Sequence, residues 1–295
     1  MKPVVETVVK ARTICGESPC WDAPTGRLYW VDIKGCELHH YNPNRLKDAS
    51  WSLPTTVGTV APVDENVILL AMQDGIFSFN LVKGKRNLVL DIETTITDNR
   101  FNDGKCDSKG RFWAGTMALA EDRPVGSLYR LNTDLTYENC LSGITVSNGL
   151  DWSLDDKTMY FIDSPTRGID AFDFDVITGG ISNRRTIIRT PTEEGVPDGM
   201  TVDEEGMIWV AMWGGWCICR YNPITSEKLM KIEIPAKRVT SCAFGGQNMN
   251  ELYITSAAIG DNGVDSRAEE PLAGSLFRVK LPFKGKPANR FKGKI

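Results

Sequence analysis

Four short segments set a carboxylate or carboxamide beside glycine or two residues before it: Glu17 in GESP, Asn102 in FNDGK, Asn148 in SNGLDW and Asp198 in PDGMTV. Glycine at such a place permits a tight turn or a close backbone approach. Taken singly, Asn-Gly and Asp-Gly are the commonest hairpin turns, and a turn is the plainer reading of each. Taken together they offer oxygen donors. The carboxylates of Glu17 and Asp198 and the amide oxygen of Asn148 make an all-oxygen set. Such a set suits one divalent cation, Ca²⁺, Mg²⁺ or Mn²⁺, with Zn²⁺ and Fe(II) also open. Without a cation, two converging carboxylates repel and one tends to be protonated. Three protein ligands leave positions for water and substrate, as in a catalytic centre rather than a structural one.

Other chemistries are poorly supplied. The only histidines are His39 and His40, and strand neighbours point to opposite faces, which makes a poor metal pair. A serine-hydrolase triad, a zinc site rich in histidine or a histidine acid/base would have to rest on these two. The eight cysteines contain no C-x-x-C pair. Cys217 and Cys219 lie two apart in a strand-like run, share one face, and read as buried free thiols.

What brings distant segments together is an internal repeat. Aromatic or aliphatic strands begin near Tyr29, Ile68, Trp113, Tyr160, Trp209 and Tyr253, spaced by 39, 45, 47, 49 and 44 residues. That period, with turns such as Asp22 to Gly26, is expected of propeller blades. Eleven or twelve residues before the aromatic stand Glu17, Asn102, Asn148, Asp198 and, in the sixth repeat, Ser241. The expectation is an all-β, six-bladed β-propeller with a central metal site, one domain over 1–295, whose innermost strands bring these positions to the channel mouth. A β-sandwich fits the regular period less well. VVETVVKA at the N-terminus is read as the outer strand of the last blade. Trp113, Trp152 and Trp209 are read as blade core, and Trp213 and Trp216 as either mouth or inter-blade packing.

Of 295 residues, 41% are hydrophobic and 24% charged, enough apolar material for a large core. The net charge of −4 argues against a nucleic-acid or anionic-membrane partner. No stretch approaches a transmembrane helix or a signal peptide. The reading is a soluble cytoplasmic protein, with a monomer as the default, and the basic finish from Lys284 to Lys294 is read as a solvated end.

GESPCW, RFNDGKCD, FWAGTM, SNGLDWS and VPDGMTVD, in this order through nearly the whole chain, resemble the senescence marker protein/regucalcin/gluconolactonase family. The resemblance implies a six-bladed propeller and a divalent-metal lactonase acting on sugar aldonolactones. Carried over by motif, Glu17, Asn148 and Asp198 match the metal ligands, and Arg100 and Asn102 in RFNDG match substrate-binding residues. Without the resemblance, Arg100 in TDNRFND reads as a surface arginine. The family's acidic residue after the GTM motif is displaced here by about one position, which makes Glu121 the candidate. In the implied mechanism the metal polarises the lactone carbonyl while Asp198 orients or deprotonates the attacking water. Two alternatives stay open: a related metal hydrolase of phosphotriesters or other lactones, and a non-catalytic calcium-binding or scaffold propeller.

Overall fold

The computed structural model describes residues 3–259 and 263–295. Strand β1 (Val5–Val9) opens the described chain. Four separate antiparallel sheets follow. They are β2 (Gly16–Asp22), β3 (Arg27–Asp32), β4 (Glu37–Asn42) and β5 (Lys47–Ser52); then β6 (Val57–Pro62), β7 (Val67–Met72), β8 (Gly75–Asn80) and β9 (Lys85–Leu90). The third holds β10 (Asn99–Cys106), β11 (Phe112–Ala118), β12 (Gly126–Leu131) and β13 (Tyr137–Ile144). The fourth holds β14 (Ser147–Trp152), β15 (Thr158–Asp163), β16 (Gly168–Phe174) and β17 (Ile181–Arg189).

An eight-stranded sheet completes the molecule. One half is β18 (Val196–Val202), β19 (Ile208–Trp213), β20 (Cys217–Tyr221) and β21 (Lys228–Glu233). The other is β22 (Arg238–Gly245), β23 (Glu251–Ala257) and β24 (Leu276–Lys280), with β1 added outside β24 through pairs such as Val5–Val279. Trp213–Arg238 is the pair that joins the halves. The protein is thus all-β, a propeller-like arrangement of small sheets. The N-terminal strand closes the last of them, as its sequence foretold.

Burial follows strand position. Second strands such as β7 and β11 are apolar runs buried on both faces, whereas outermost strands such as β5 and β13 are largely open to solvent. A strand with a sheet on either side must present apolar groups both ways. Tyr29 and Val31 of one sheet accordingly share a core with Ile68 and Leu70 of the next. Trp113, Trp152 and Trp209 are fully buried, so they are blade core.

The first strands pack in a closed circuit: β2 on β6, β6 on β10, β10 on β14, β14 on β18, β18 on β22, and β22 back on β2. Each breaks register with its second strand near its start, at Glu17/Cys20, Val57/Thr59, Phe101/Gly104, Asn148/Leu150, Pro197/Met200 and Val239/Ser241. A bulge bends the strand and re-aims its side chains. Asn148-Gly149 and Asp198-Gly199 therefore lie inside strands rather than at hairpin turns. Their glycines serve close approach. A Cβ on Gly149 would sit 2.7 Å from the Asp198 carbonyl oxygen, and one on Gly199 2.1 Å from Ser241 Oγ.

The basic finish is not a solvated end. Gly285 pairs with Asp203, Lys286 Nζ meets Asp151 Oδ1 at 2.6 Å, and Asn289 Nδ2 donates to the Cys106 carbonyl at 3.3 Å. Arg290 forks onto Asp22 at 2.7 and 2.8 Å, and Phe291 is 1% exposed. The cations find carboxylates and carbonyls at the finishing ends of the first strands, and this turns the segment into a strap.

Candidate active site

Glu17, Asn102, Asn148, Asp198 and Thr240, from the starts of β2, β10, β14, β18 and β22, line one cavity of about 530 Å³. Arg100 and Glu121 line it too, as do Cys15, Lys34, Met117, Pro165 and Trp213. Glu17, Arg100, Asn102, Asn148, Asp198 and Thr240 are buried, whereas Lys34 and Glu121 are exposed. One expectation needs correction, and one plainer reading fails. The sixth position is Thr240 and not Ser241, whose side chain instead lines a small cavity of about 40 Å³ at the other ends of the strands. The bulge shifts the count of residues by one. Nor is Arg100 a surface residue: its guanidinium is buried and donates to Asn102 Oδ1 at 2.6 Å and to the Phe101 carbonyl at 3.1 Å.

Recurrent anchors hold the segments that lead into the site. The Asp32 carboxylate, at the end of β3, accepts the amides of Ile14 and Cys15 at 2.8 and 2.9 Å, just ahead of Glu17. Asp163, at the end of β15, does the same for Thr145 and Val146 at 3.2 and 2.9 Å, just ahead of Asn148. Asn148 is further oriented from its side chain. Its Nδ2 donates to Ser164 Oγ at 2.9 Å, and Ser164 donates to the Pro197 carbonyl at 2.7 Å. Asn102 Nδ2 donates to the Ser147 carbonyl at 2.7 Å and to Asn148 Oδ1 at 3.2 Å. The polar atoms of Asn102 thus link Arg100 to Asn148. Glu121, half-exposed and in a left-handed backbone conformation, places Oε1 3.7 Å from Arg100 Nη2.

The electrostatics are those of anions crowded in a desolvated space. Burial, then the charges of Asp198 and Asp103, holds the Glu17 carboxyl well above its ordinary range. Burial, then Asp103 and Glu121, does the same to Asp198, with Arg100 and a hydrogen bond from Asn148 offsetting part of the rise. Glu17 Oε2 accepts the Ser18 amide, while Oε1 is buried with no hydrogen-bond partner. An orphaned carboxylate oxygen is costly unless something else satisfies it.

These donors fit a hard divalent cation: two carboxylates with unspent proton affinity, one orphaned oxygen, and an amide held in place from both ends. Among the described residues no three His, Cys, Asp or Glu side chains cluster as a metal site. The set that fits is therefore two carboxylates and an amide.

Asp103 is the site neighbour that sequence reasoning passed over, although it stands beside Asn102 in FNDG. Burial pushes its carboxyl up to about 6 against the pull of Lys105. Ser164 carried no sequence signal at all, because its role is to fill a gap between two sheets. Trp213 lines the cavity, and its ring lies 5.9 Å from the Arg238 guanidinium carbon, whereas Trp216 is outside the cavity and 43% exposed. His39 is held elsewhere by Asp48 at 2.8 Å. The cysteines are free, with Cys217 and Cys219 sulfurs 3.8 Å apart. Among the described residues no helix is long and apolar enough to cross a membrane.

The family model described as "SMP-30/Gluconolactonase/LRE-like region" matches residues 15–258, a span that includes Glu17, Arg100, Asn102, Glu121, Asn148, Asp198 and Thr240. The chain belongs to that SMP-30/gluconolactonase/LRE-like family. Similar members run end to end with it. Regucalcin of Danio rerio is 38% identical over 292 residues, covering 98% of each chain. A Bacillus subtilis protein provisionally named sugar lactone lactonase YvrE is 37% identical, covering 96% of this chain and 97% of its own. Among solved structures, a luciferin-regenerating enzyme superposes with a TM-score of 0.91 at 35% identity, over 98% of this chain and 99% of that one. A regucalcin of Agrobacterium tumefaciens, described as a calcium-binding protein, gives 0.92 at 26% identity, over 99% and 98%.

Proposed function

We propose that this family member is a divalent-metal-dependent hydrolase that opens sugar aldonolactones to aldonic acids. We count its eight-stranded sheet as two blades, making a single six-bladed domain with Glu17, Asn148 and Asp198 as metal ligands on its axis. One observation carries the reading: two buried carboxylates of raised proton affinity, one with an orphaned oxygen, face an oriented amide in a cavity that also holds Arg100. The names of family members, lactonase and calcium-binding regucalcin among them, point the same way.

A cation held there supplies Lewis acidity toward a carbonyl oxygen. The chain's own residues do the rest. Asp198, whose carboxyl takes up a proton readily, accepts one from the attacking water. Arg100, buried and fixed through Asn102, presents its guanidinium to sugar hydroxyls and to the carboxylate of the product. Glu121, beside Arg100 at the open side, accepts hydrogen bonds from hydroxyls.

The test strips the protein with chelator and follows acid release from glucono-, galactono-, xylono- and arabinono-lactones as each divalent metal is restored. Phosphotriesters run alongside, and a blank corrects for spontaneous ring opening. Metal-restored lactone hydrolysis is expected, and its loss in Asp198→Ala with the fold retained. No acceleration by any metal, from folded protein, would sink the reading.

A further inference from the structure

Beyond the site, the finishing ends of three first strands meet at one buried carboxylate. Asp151 lies on β14, three residues past Asn148. Its Oδ2 accepts Lys105 Nζ of β10 at 2.9 Å and the Val202 amide of β18 at 3.1 Å. Its Oδ1 accepts the Trp152 amide at 2.8 Å and meets Lys286 Nζ of the C-terminal strap at 2.6 Å. Lys105 Nζ gives a second bond, to the Met200 carbonyl of β18 at 3.0 Å, and Lys286 a second, to the Trp152 carbonyl at 2.6 Å. Lys105 stands three residues past Asn102, and Met200 two past Asp198. The strands joined here are those that carry Asn102, Asn148 and Asp198 into the cavity. Between β2, β6 and β22 the links are hydroxyl bonds instead, Ser18 to Thr59 and Thr240 to the Gly16 carbonyl, each 2.6 Å.

We propose that Lys105, Asp151 and Lys286 form a spacing lock: positioning residues that set, from one end of β10, β14 and β18, the separation of the donors at the other. A strand rises about 3.3 Å per residue, so lock and donors are roughly 10 Å apart, along short strands that each hold one bulge before pairing resumes toward the lock. A separation imposed at one end is therefore carried to the other. Removing one partner of a buried ion pair leaves an uncompensated charge, which the strands relieve by moving apart. The strap thereby acts on the site without touching it. The proposal rests on the cation reading of Glu17, Asn148 and Asp198 for its affinity arm alone.

The experiment uses the full chain and three variants, Lys286→Met, Lys105→Met and the conservative Lys105→Arg. Mn²⁺ binding is measured by calorimetry, and backbone hydrogen exchange is followed in segments 99–106, 147–152 and 196–202. Segments 16–22, 57–62 and 239–245 serve as internal controls. Expected are a loss of about 10-fold in Mn²⁺ affinity in the methionine variants, as for outer partners of metal ligands, faster exchange shared by the first three segments only, and recovery of most of the affinity in Lys105→Arg. Wild-type affinity in Lys286→Met, or acceleration confined to residues 284–292, overturns the lock. If the wild-type chain itself takes up no Mn²⁺, the cation reading falls and exchange alone decides the lock. Should Lys105→Met not fold, Lys286→Met carries both measurements.

Discussion

Glu17 and Asp198 show how a side chain's neighbours, rather than its own chemistry, set its charge. Both carboxyls are held above the ordinary carboxylate range by burial first and by neighbouring carboxylates second, Asp198 and Asp103 for Glu17 and Asp103 and Glu121 for Asp198, and Asp103 is pushed up to about 6. In the metal-free protein the native state therefore keeps protons that the unfolded chain has already released near its ordinary values of 3.8 to 4.5. Above those values the native state binds more protons than the unfolded state, so stability falls as pH rises toward the raised ones. Scanning calorimetry of chelated protein is expected to give a higher Tm at pH 5 than at pH 8. Under the proposed metal reading, saturating Ca²⁺ or Mn²⁺ should raise Tm more at pH 8, where fewer protons compete for the carboxylates. A metal-free Tm that climbs from pH 5 to pH 8 would reject this account. Glu17, Asn102, Asn148 and Asp198 were legible, because each stands eleven or twelve residues before an aromatic. Asp103 was not, since it bears on Glu17 and Asp198 through its charge alone, and nothing local says which strands will stand beside it.

At the scale of the strand, the device that matters is the bulge at the start of every first strand. It turns a residue that simple alternation would send into the sheet-to-sheet core toward the cavity. This is why a count from the aromatic reached Asn148 and Asp198 correctly yet named Ser241 where Thr240 faces the site. Close packing of these bulged segments depends on glycine. In Gly149→Ala the new methyl meets the Asp198 carbonyl oxygen and the Met200 amide nitrogen, both 2.7 Å away and both backbone. Backbone cannot swing aside as a side chain can. The variant is expected to lose about 1–3 kcal/mol of stability in denaturant unfolding, and to bind a divalent ion more weakly than the wild-type chain. Unchanged unfolding midpoint and unchanged ion binding would mean that β14 and β18 have slack that the packing does not show.

For the molecule as a whole, closure is supplied by the two ends of the chain. Strand β1 covers the outer edge of β24, and Glu6 pairs with Arg278 at 2.5 Å across that seam. The strap of residues 284–292 spans the finishing ends of β2, β6, β10 and β14 through Arg290, Phe291, Asn289 and Lys286. Deleting residues 1–9 uncovers the row of backbone groups on β24, an edge open to pairing with other chains. A truncated chain is expected to melt at a lower temperature and to aggregate with increasing concentration, measured by calorimetry and light scattering. A wild-type Tm in that chain would show that β24 holds its place without β1.

The all-β class, the repeat, the closing N-terminal strand, the tryptophan core and the family resemblance were all determined by sequence alone. Each rests on periodicity or on consecutive motifs, which local chemistry writes directly into residue order. Three features were decided only by tertiary structure. Arg100 is buried because β10 and its neighbours enclose it, although its local sequence is polar throughout. The basic C-terminal segment is ordered because its cations meet Asp22 and Asp151, residues far from it in the chain. The raised proton affinity of Glu17 and Asp198 exists only where strands from different sheets bring two like charges into one dry space. Charge, unlike periodicity, takes its value from whatever the fold places beside it.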